Sequence, residues 1–294
     1  MRPHLTTTVL VLLAGSGFSQ AQTALSLPQA QGTSSALQLA VPKTVHVDLL
    51  LAPPGATANS VAPTHGFDID PDGLPVVARG ATLLLMGAAR PLVTVGTQPI
   101  GDFAWMHDGS LLLIIQGHLA GIGPHGLTLG PQTPVPGMEV RPAGKDDAYV
   151  FGGTSQKSRH DIFLFGRDGR IAKLLSAPAP VTAVAGDGTS TYVALGRSLL
   201  HLDAGHPIKP VMHTHSAVIS LAMTSSGRLF YATKASVGYL TADGVAHDFL
   251  RGQGGLLRVH GDALFLLLRS QGRIIRFSPL EAFESLDNTT ETKP

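Results

Sequence analysis

Between Phe67 and Leu268 the chain repeats one pattern of apolar and polar positions six times: an apolar run, a turn carrying Asp or Gly, and a second, more apolar run. The first copy is FDIDPDGLPVVA from Phe67 and the last is LLRVHGDALFLLL from Leu256. The centres of the second runs, Val77, Leu113, Val150, Val193, Tyr231 and Leu266, are spaced by 36, 37, 43, 38 and 35 residues. A unit of this size cannot bury its faces alone, and about 40 residues is what one four-stranded propeller blade consumes. The spacing predicts an all-β fold, a six-bladed β-propeller of four-stranded blades.

Each copy reads as strands A to D. In the fifth, VISLAM is A, RLFYAT is B after the turn TSSG, VGYL is C, and VAHDFL is D after TADG. These turns carry the residues that reverse a chain at low cost: Gly tolerates positive φ, and Asp bonds its own backbone. The B runs LLLII (Leu111 to Ile115) and LFLLL (Leu264 to Leu268) are apolar at every position. A sheet with one wet face would alternate, so both faces of these strands are predicted to be covered. The sixth copy supplies a C strand, GRIIRFS, and no D strand follows it. TVHVDLLLA, Thr44 to Ala52, resembles the D strands of the other copies and is predicted to pair with the last blade, removing the open edge.

At 294 residues the chain accommodates one such ring and no second domain. The organisation expected is a signal peptide over 1–21, a flexible leader over 22–43, the propeller over 44–279 and a C-terminal tail over 280–294. The signal peptide rests on a basic start, a short apolar run from Val9 to Ala14, and a Ser19-x-Ala21 site suited to signal peptidase. It implies a secreted or periplasmic protein. No apolar run approaches the roughly 20 residues of a transmembrane helix. Cysteine is absent, which excludes thiol chemistry, Cys-ligated zinc and disulfide stapling. A net charge of +1 gives no reason to expect nucleic acid as a partner.

Six copies of apolar A, Asp/Gly turn, apolar B and a C strand of the type GRIAKLL or GRIIRFS resemble the six-bladed propellers of the NHL, YncE-like and gluconolactonase groups. The resemblance covers about Thr44 to Pro279 and implies a blade, not a site. WD-type blades would show a recurrent Trp-Asp pair and quinoprotein propellers a docking Trp in most blades, whereas Trp105 is the one Trp of this chain. The gluconolactonase resemblance implies a metal cage of Glu, Asn and Asp over the channel. Here Asn occurs only at 59 and 288, and Glu139 is the one Glu within the blades, so that cage cannot be assembled.

Candidate chemistry follows from which connections share a face. D-to-A and B-to-C loops rise on one face of a propeller, and A-to-B and C-to-D turns on the other. The B-to-C connections carry Arg79, His118, Arg159 (with Lys157), Arg197, Lys234 and Arg269, with Asp161 the one acid among them. On one face these groups would form a basic ring that attracts an anionic small molecule, a glycan or an acidic protein surface. His65, His160, His213 and His215 belong to the same face, and with His118 they form the alternative, neutral imidazoles around zinc or another divalent metal. Solvated or hydrogen-bonded loop histidines explain the same residues without a metal. No nucleophile elbow or phosphate-binding glycine loop occurs. The reading is an exported, monomeric recognition or scaffold module that binds its ligand on the loop face without a catalytic group or cofactor. A metal-dependent lyase or hydrolase is the alternative.

Overall fold

The structure is a computed structural model that describes residues 10–11, 21–25, 37–50, 66–86, 91–123, 126–144, 146–154, 158–166, 168–203, 206–241, 243–268 and 272–284. Six antiparallel sheets stand in a ring, as the repeat predicts: five have four strands, and the fifth blade's four strands are extended at the outer edge by three more. Their innermost A strands are Phe67–Ile69, Ile100–Trp105, Met138–Ala143, Ala183–Gly186, Val218–Met223 and Leu256–His260. Each A strand touches the A strands of both neighbouring blades, so the ring is continuous. Blade six takes its outer strand from the N-terminal side: His46–Leu50 pairs antiparallel with Arg273–Ser278, from Ser278↔His46 to Ile274↔Leu50.

The continuous apolar B strands owe their composition to a core divided into six clusters, one at each blade interface. In Leu111–Ile115, Leu111, Leu113 and Ile115 pack toward blade one while Leu112 and Ile114 pack toward blade three. Strand alternation sends successive side chains to opposite faces, and in a blade between two neighbours both faces are dry. At about 1.5–3 kcal/mol for each large apolar side chain buried, such a strand is a principal source of stability.

The Asp residues of the A-to-B and C-to-D turns serve the backbone. Asp70 Oδ1 accepts from the amides of Asp72 and Leu74 (3.1 and 2.7 Å), and Asp187 Oδ1 from those of Thr189 and Ser190 (2.9 and 2.8 Å). Gly73 closes the first of these turns at φ 81°, a conformation that favours glycine.

Two expectations at the chain ends need correction. The leader expected over 22–43 is not flexible throughout: Leu37–Val41 is a further strand on the outer edge of blade five, with Leu39↔Leu250 and Gln38↔Arg251 in register. Leu39 and Val41 are buried in the core between blades five and six. The C-terminal tail expected from 280 begins as a short helix, Glu281–Glu284, whose Phe283 is completely buried. Phe283 packs edge-on against Phe230 at 5.6 Å and lies 5.0 Å from Phe249. The first segment is mostly apolar (LQLAV) and the second mixed (EAFE), and their buried residues find partners only once the ring has formed.

Candidate functional site

The register of the blades makes the inner strands comparable position by position. The six repeat centres pair with the A strands as Phe67↔Val77, Phe103↔Leu113, Val140↔Val150, Val184↔Val193, Leu221↔Tyr231 and Leu257↔Leu266. One residue further along A therefore forms a layer across the channel: Asp68, Ala104, Arg141, Ala185, Ala222 and Arg258. One residue earlier, blades two to six supply Asp102, Glu139, Ala183, Ser220 and Leu256. Ala185 and Ala222 leave room in the first layer, and Asp68, Arg141 and Arg258 put charge in it.

The inner edge of an A strand carries amides that no further strand can satisfy, and side chains of the preceding blade supply acceptors. Asp68 Oδ2 accepts from the Trp105 amide at 2.7 Å, Asp102 Oδ2 from Val140 at 2.9 Å, and Ser220 Oγ from Leu257 at 2.9 Å. These bonds join blades one to two, two to three and five to six. Asp102 is fully buried and its charge is met by Arg141, whose Nη1 lies 2.6 Å from Asp102 Oδ2 and whose Nη2 lies 2.8 Å from Glu139 Oε2. Nη1 of Arg141 also donates to the Val140 carbonyl. Burial works to lower the Arg141 pKa, and Asp102 and Glu139 outweigh it, holding the group above the ordinary arginine value.

Arg258 is less completely paired. Its side chain is 8% exposed; Nη1 donates to the Leu257 carbonyl at 2.6 Å, and Nε lies 3.4 Å from Asp68 Oδ1, a charge contact without hydrogen-bond alignment. Among the described residues, Nε and Nη2 have no hydrogen-bond partner. A buried donor left unpaired costs about 1–3 kcal/mol, and more when charged. Burial, with Arg141 nearby, pushes the Arg258 pKa down to about 10, so it stays cationic at neutral pH. Burial pushes the Asp68 carboxyl up, against Arg258 and the amides of Trp105 and Ile69.

Asp68, Arg141 and Arg258 line a cavity of about 370 Å³ to which all six blades contribute. Its walls are the C-terminal ends of the A strands, including Trp105, Pro142, Gly186 and Met223, and the turn residues Pro71, Met106, His107 and Gly109. The cavity therefore occupies the half of the channel toward the A-to-B turns, opposite the face on which the sequence placed the site. Sequence reasoning missed Asp68, Arg141 and Arg258. Their signal was a charge inside an apolar A run, in FDI, EVRPA and LLRVH, which reads equally well as an ordinary strand until the register aligns them.

The residues named from sequence lie elsewhere. Arg79, His118, Arg159, Arg197 and Lys234 belong to the B-to-C connections of blades one to five, one strand outward from the channel lining. Arg79, Arg159, Arg197 and Lys234 are exposed. Arg159 Nε donates to the Gly153 carbonyl at 2.9 Å. Arg269 and His65 lie outside the described residues. His118 Nδ1 is 3.5 Å from Gly130 O, and His160 Nδ1 is 3.1 Å from Ala177 O, each within its own blade. The strand ends at His213, whose Nδ1 is 3.2 Å from Ser198 Oγ, and His215 lies beyond it; both border a surface pocket with Tyr231, Asp248 and Arg251. Among the described residues no group of three or more His, Asp and Glu is placed to hold a metal ion.

One serine, histidine and aspartate do meet. Ser190 Oγ and Asp203 Oδ1 lie 2.6 and 3.1 Å from His201, and both contacts use Nε2. A nucleophile relay needs the acid on the opposite ring nitrogen. His201 also stacks on Tyr192 at 4.4 Å, so the trio reads as a cross-strand packing motif of blade four.

No protein-family model matches the sequence, and a search of curated proteins finds no match. Solved structures do resemble the fold. A streptogramin B lyase superposes with a TM-score of 0.55 at 10% identity, over 80% of this chain and 97% of that one. A gluconolactonase from Xanthomonas campestris gives 0.56 at 11%, over 82% and 89%. The WD40 propeller domain of Doa1 gives 0.53 at 11%, over 72% and 78%. At these identities the likeness is one of fold, and it bears out the resemblance to six-bladed propellers drawn from the repeats.

Proposed function

We propose that this chain is a ligand-binding propeller that holds a small organic molecule in the A-to-B half of its central channel. The carrying observation is a cavity shared by six blades whose wall gathers three buried charged residues, Asp68, Arg141 and Arg258. A volume of about 370 Å³ is near the lower end for small-molecule sites, which favours a compact ligand over a polymer. Ala185 and Ala222 keep the space open. The carboxylates of the channel serve as amide acceptors and arginine partners, which supports binding in place of acid–base catalysis. The basic start and Ser19-x-Ala21 site support binding outside the cytoplasm, and N-terminal sequencing of the exported protein, expected to begin at Gln22, tests that part.

The site is tested by thermal-shift screening of small acids, alcohols, amines and sugars, with Trp105 fluorescence as a local reporter. Trp105 is the sole tryptophan and lines the cavity. A ligand at 100 times its Kd stabilises the fold by about 2.7 kcal/mol. Hits are expected to perturb Trp105 and to weaken in Ala185→Leu, which narrows the cavity. Hits silent at Trp105 and lost instead in the triple variant Arg79→Gln, Arg197→Gln, Lys234→Gln would move the site to the basic loops. Hits that require an added divalent ion and fail in His213→Ala or His215→Ala would support the metal-dependent alternative.

A further inference from the structure

We propose a second binding site, separate from the channel: the cleft between blades four and five, on the side of the B-to-C loops, takes a neutral saccharide, one of whose hydroxyls bridges Asp248 and Arg251.

Blade five builds this site through its strand register. Its D strand, Ala246–Arg251, pairs with the C strand Ser236–Leu240 as Gly238↔Asp248 and Ser236↔Arg251, with a bulge between Val237 and Gly238. Residues three apart on a regular strand point to opposite faces. The extra residue sets Asp248 and Arg251 against partners only two apart, so both side chains leave the same face of the blade. A register shift recurs between the C and D strands of blades one to four, where the two positions hold Pro91 and Thr94, Leu129 and Gln132, Lys173 and Ser176, and Pro210 and His213. Among the described positions of these five blades, blade five alone sets an acid and a base there. Its D strand is also no edge, because Gln38 pairs with Arg251 from the outside.

The Asp248 carboxylate is fixed by the strand two places inward. Tyr231 faces Gly238 in register, and its hydroxyl donates to Asp248 Oδ1 at 2.7 Å. A Cβ at Gly238 would sit 2.5 Å from the Tyr231 oxygen, so glycine leaves the passage through which the phenol reaches Asp248. Burial, and then the bond to Asp248, push the phenol above its ordinary value and keep it a donor. The other oxygen, Oδ2, lies 3.9 Å from Arg251 Nε. That separation is too long for a hydrogen bond, and one oxygen that accepts from Nε and donates to Oδ2 spans it. A hydroxyl does both, whereas a carboxylate only accepts and an ammonium only donates.

Both groups are open to a ligand. The Asp248 side chain is 25% exposed and that of Arg251 68%. They line a cavity of about 520 Å³, within the range of small-molecule sites, whose far wall is the exposed pair His213 and His215 from the end of blade four. An imidazole presents an apolar ring face and a polar edge, which suits the mixed C–H and O–H surface of a sugar ring.

The experiment takes the full chain to an array of neutral and acidic oligosaccharides and measures the strongest neutral binder by calorimetry, with free glycine and acetate as charged probes. Neutral oligosaccharides are expected to bind, with an affinity insensitive to salt and without a response from Trp105, which stands on blade two in the channel. Arg251→Gln and Asp248→Asn each remove a charge-assisted hydrogen bond and are expected to weaken that binding about tenfold or more. Because the Arg251 side chain is exposed, Arg251→Gln is expected to keep the wild-type unfolding midpoint, which separates lost binding from lost fold. Binding of acidic oligosaccharides alone, binding of glycine or acetate in place of the neutral ones, or no binding at all would overturn the proposal. Unchanged affinity in both variants would do the same, as would a Trp105 response to the bound saccharide, which would move it to the channel.

Discussion

Removing residues 1–43 should destabilise the ring strongly, whereas removing residues 1–36 should not. The difference between the two truncations is the segment holding Leu37–Val41, the fifth strand of blade five. Leu39 is 1% exposed and Val41 5%, and both pack in the cluster containing Phe230, Phe249 and Leu257. At about 1.5–3 kcal/mol per buried side chain the loss is about 3–6 kcal/mol, an upper figure because the unfolded chain already covers part of that surface. Against a total stability of about 5–15 kcal/mol this is a large share. With a urea dependence of about 3 kcal/mol per molar, the unfolding midpoint should fall by about 1–2 M. Trp105 suits the assay: it sits in blade two, across the ring from the deletion, with its indole edge-on to Phe103 at 5.6 Å, so its fluorescence follows global unfolding. A third truncation, lacking residues 1–52, also removes His46–Leu50 and leaves Arg273–Ser278 an open edge, which should aggregate. Equal midpoints for the first two chains would refute the assignment of a structural role to Leu39 and Val41.

Arg141→Met should cost about 3–5 kcal/mol by leaving Asp102 buried without its counter-charge, and adding Asp102→Asn should recover part of that in urea unfolding. Gly254→Ala should cost about 1–3 kcal/mol in the same assay, because a Cβ there would meet the Thr233 carbonyl oxygen at 1.9 Å and strand backbone cannot yield as a side chain does. Asp68 is more basic in the folded chain than the unfolded value of 3.8, so the folded state binds the extra proton between the two pKa values and Asp68 costs stability above that window. Acidification from pH 7 toward 4 should therefore favour wild type relative to Asp68→Asn; a stability difference that does not change with pH would contradict this. A chelator should leave the melting temperature unchanged, since His118 and His160 already bond backbone carbonyls of their own blades, and a drop in melting temperature would revive a resident metal.

The charged groups of the channel divide into two kinds. Asp68, Asp102 and Ser220 act as bridges between inner strands, the work that side chains must do wherever a strand edge faces a channel. Arg141 compensates the charge this introduces. Arg258 has Asp68 as its charge neighbour and holds two donors, Nε and Nη2, buried without a hydrogen bond.

The sequence by itself determined the blades. Repeat centres named from hydropathy pair with equivalent A-strand positions in all six sheets, and Thr44 to Ala52 contains the strand that closes the ring. Such features are local: an apolar run, a turn Asp and a spacing are each written within one repeat and are enforced by burial and backbone geometry close by. What the tertiary structure decided is the assembly of groups that no repeat contains. Asp68, Arg141 and Arg258 stand on blades one, three and six, separated by 73 and 117 residues, and they share a cavity only because the register of each sheet sets them at one height in the ring. The same holds for Leu39 and Phe283, whose surroundings gave no sign of a core until blades five and six met. Loop cations were legible because they are numerous and exposed; a buried arginine inside an apolar strand was not, since only the ring brings it to one cavity with Asp68 and Arg141.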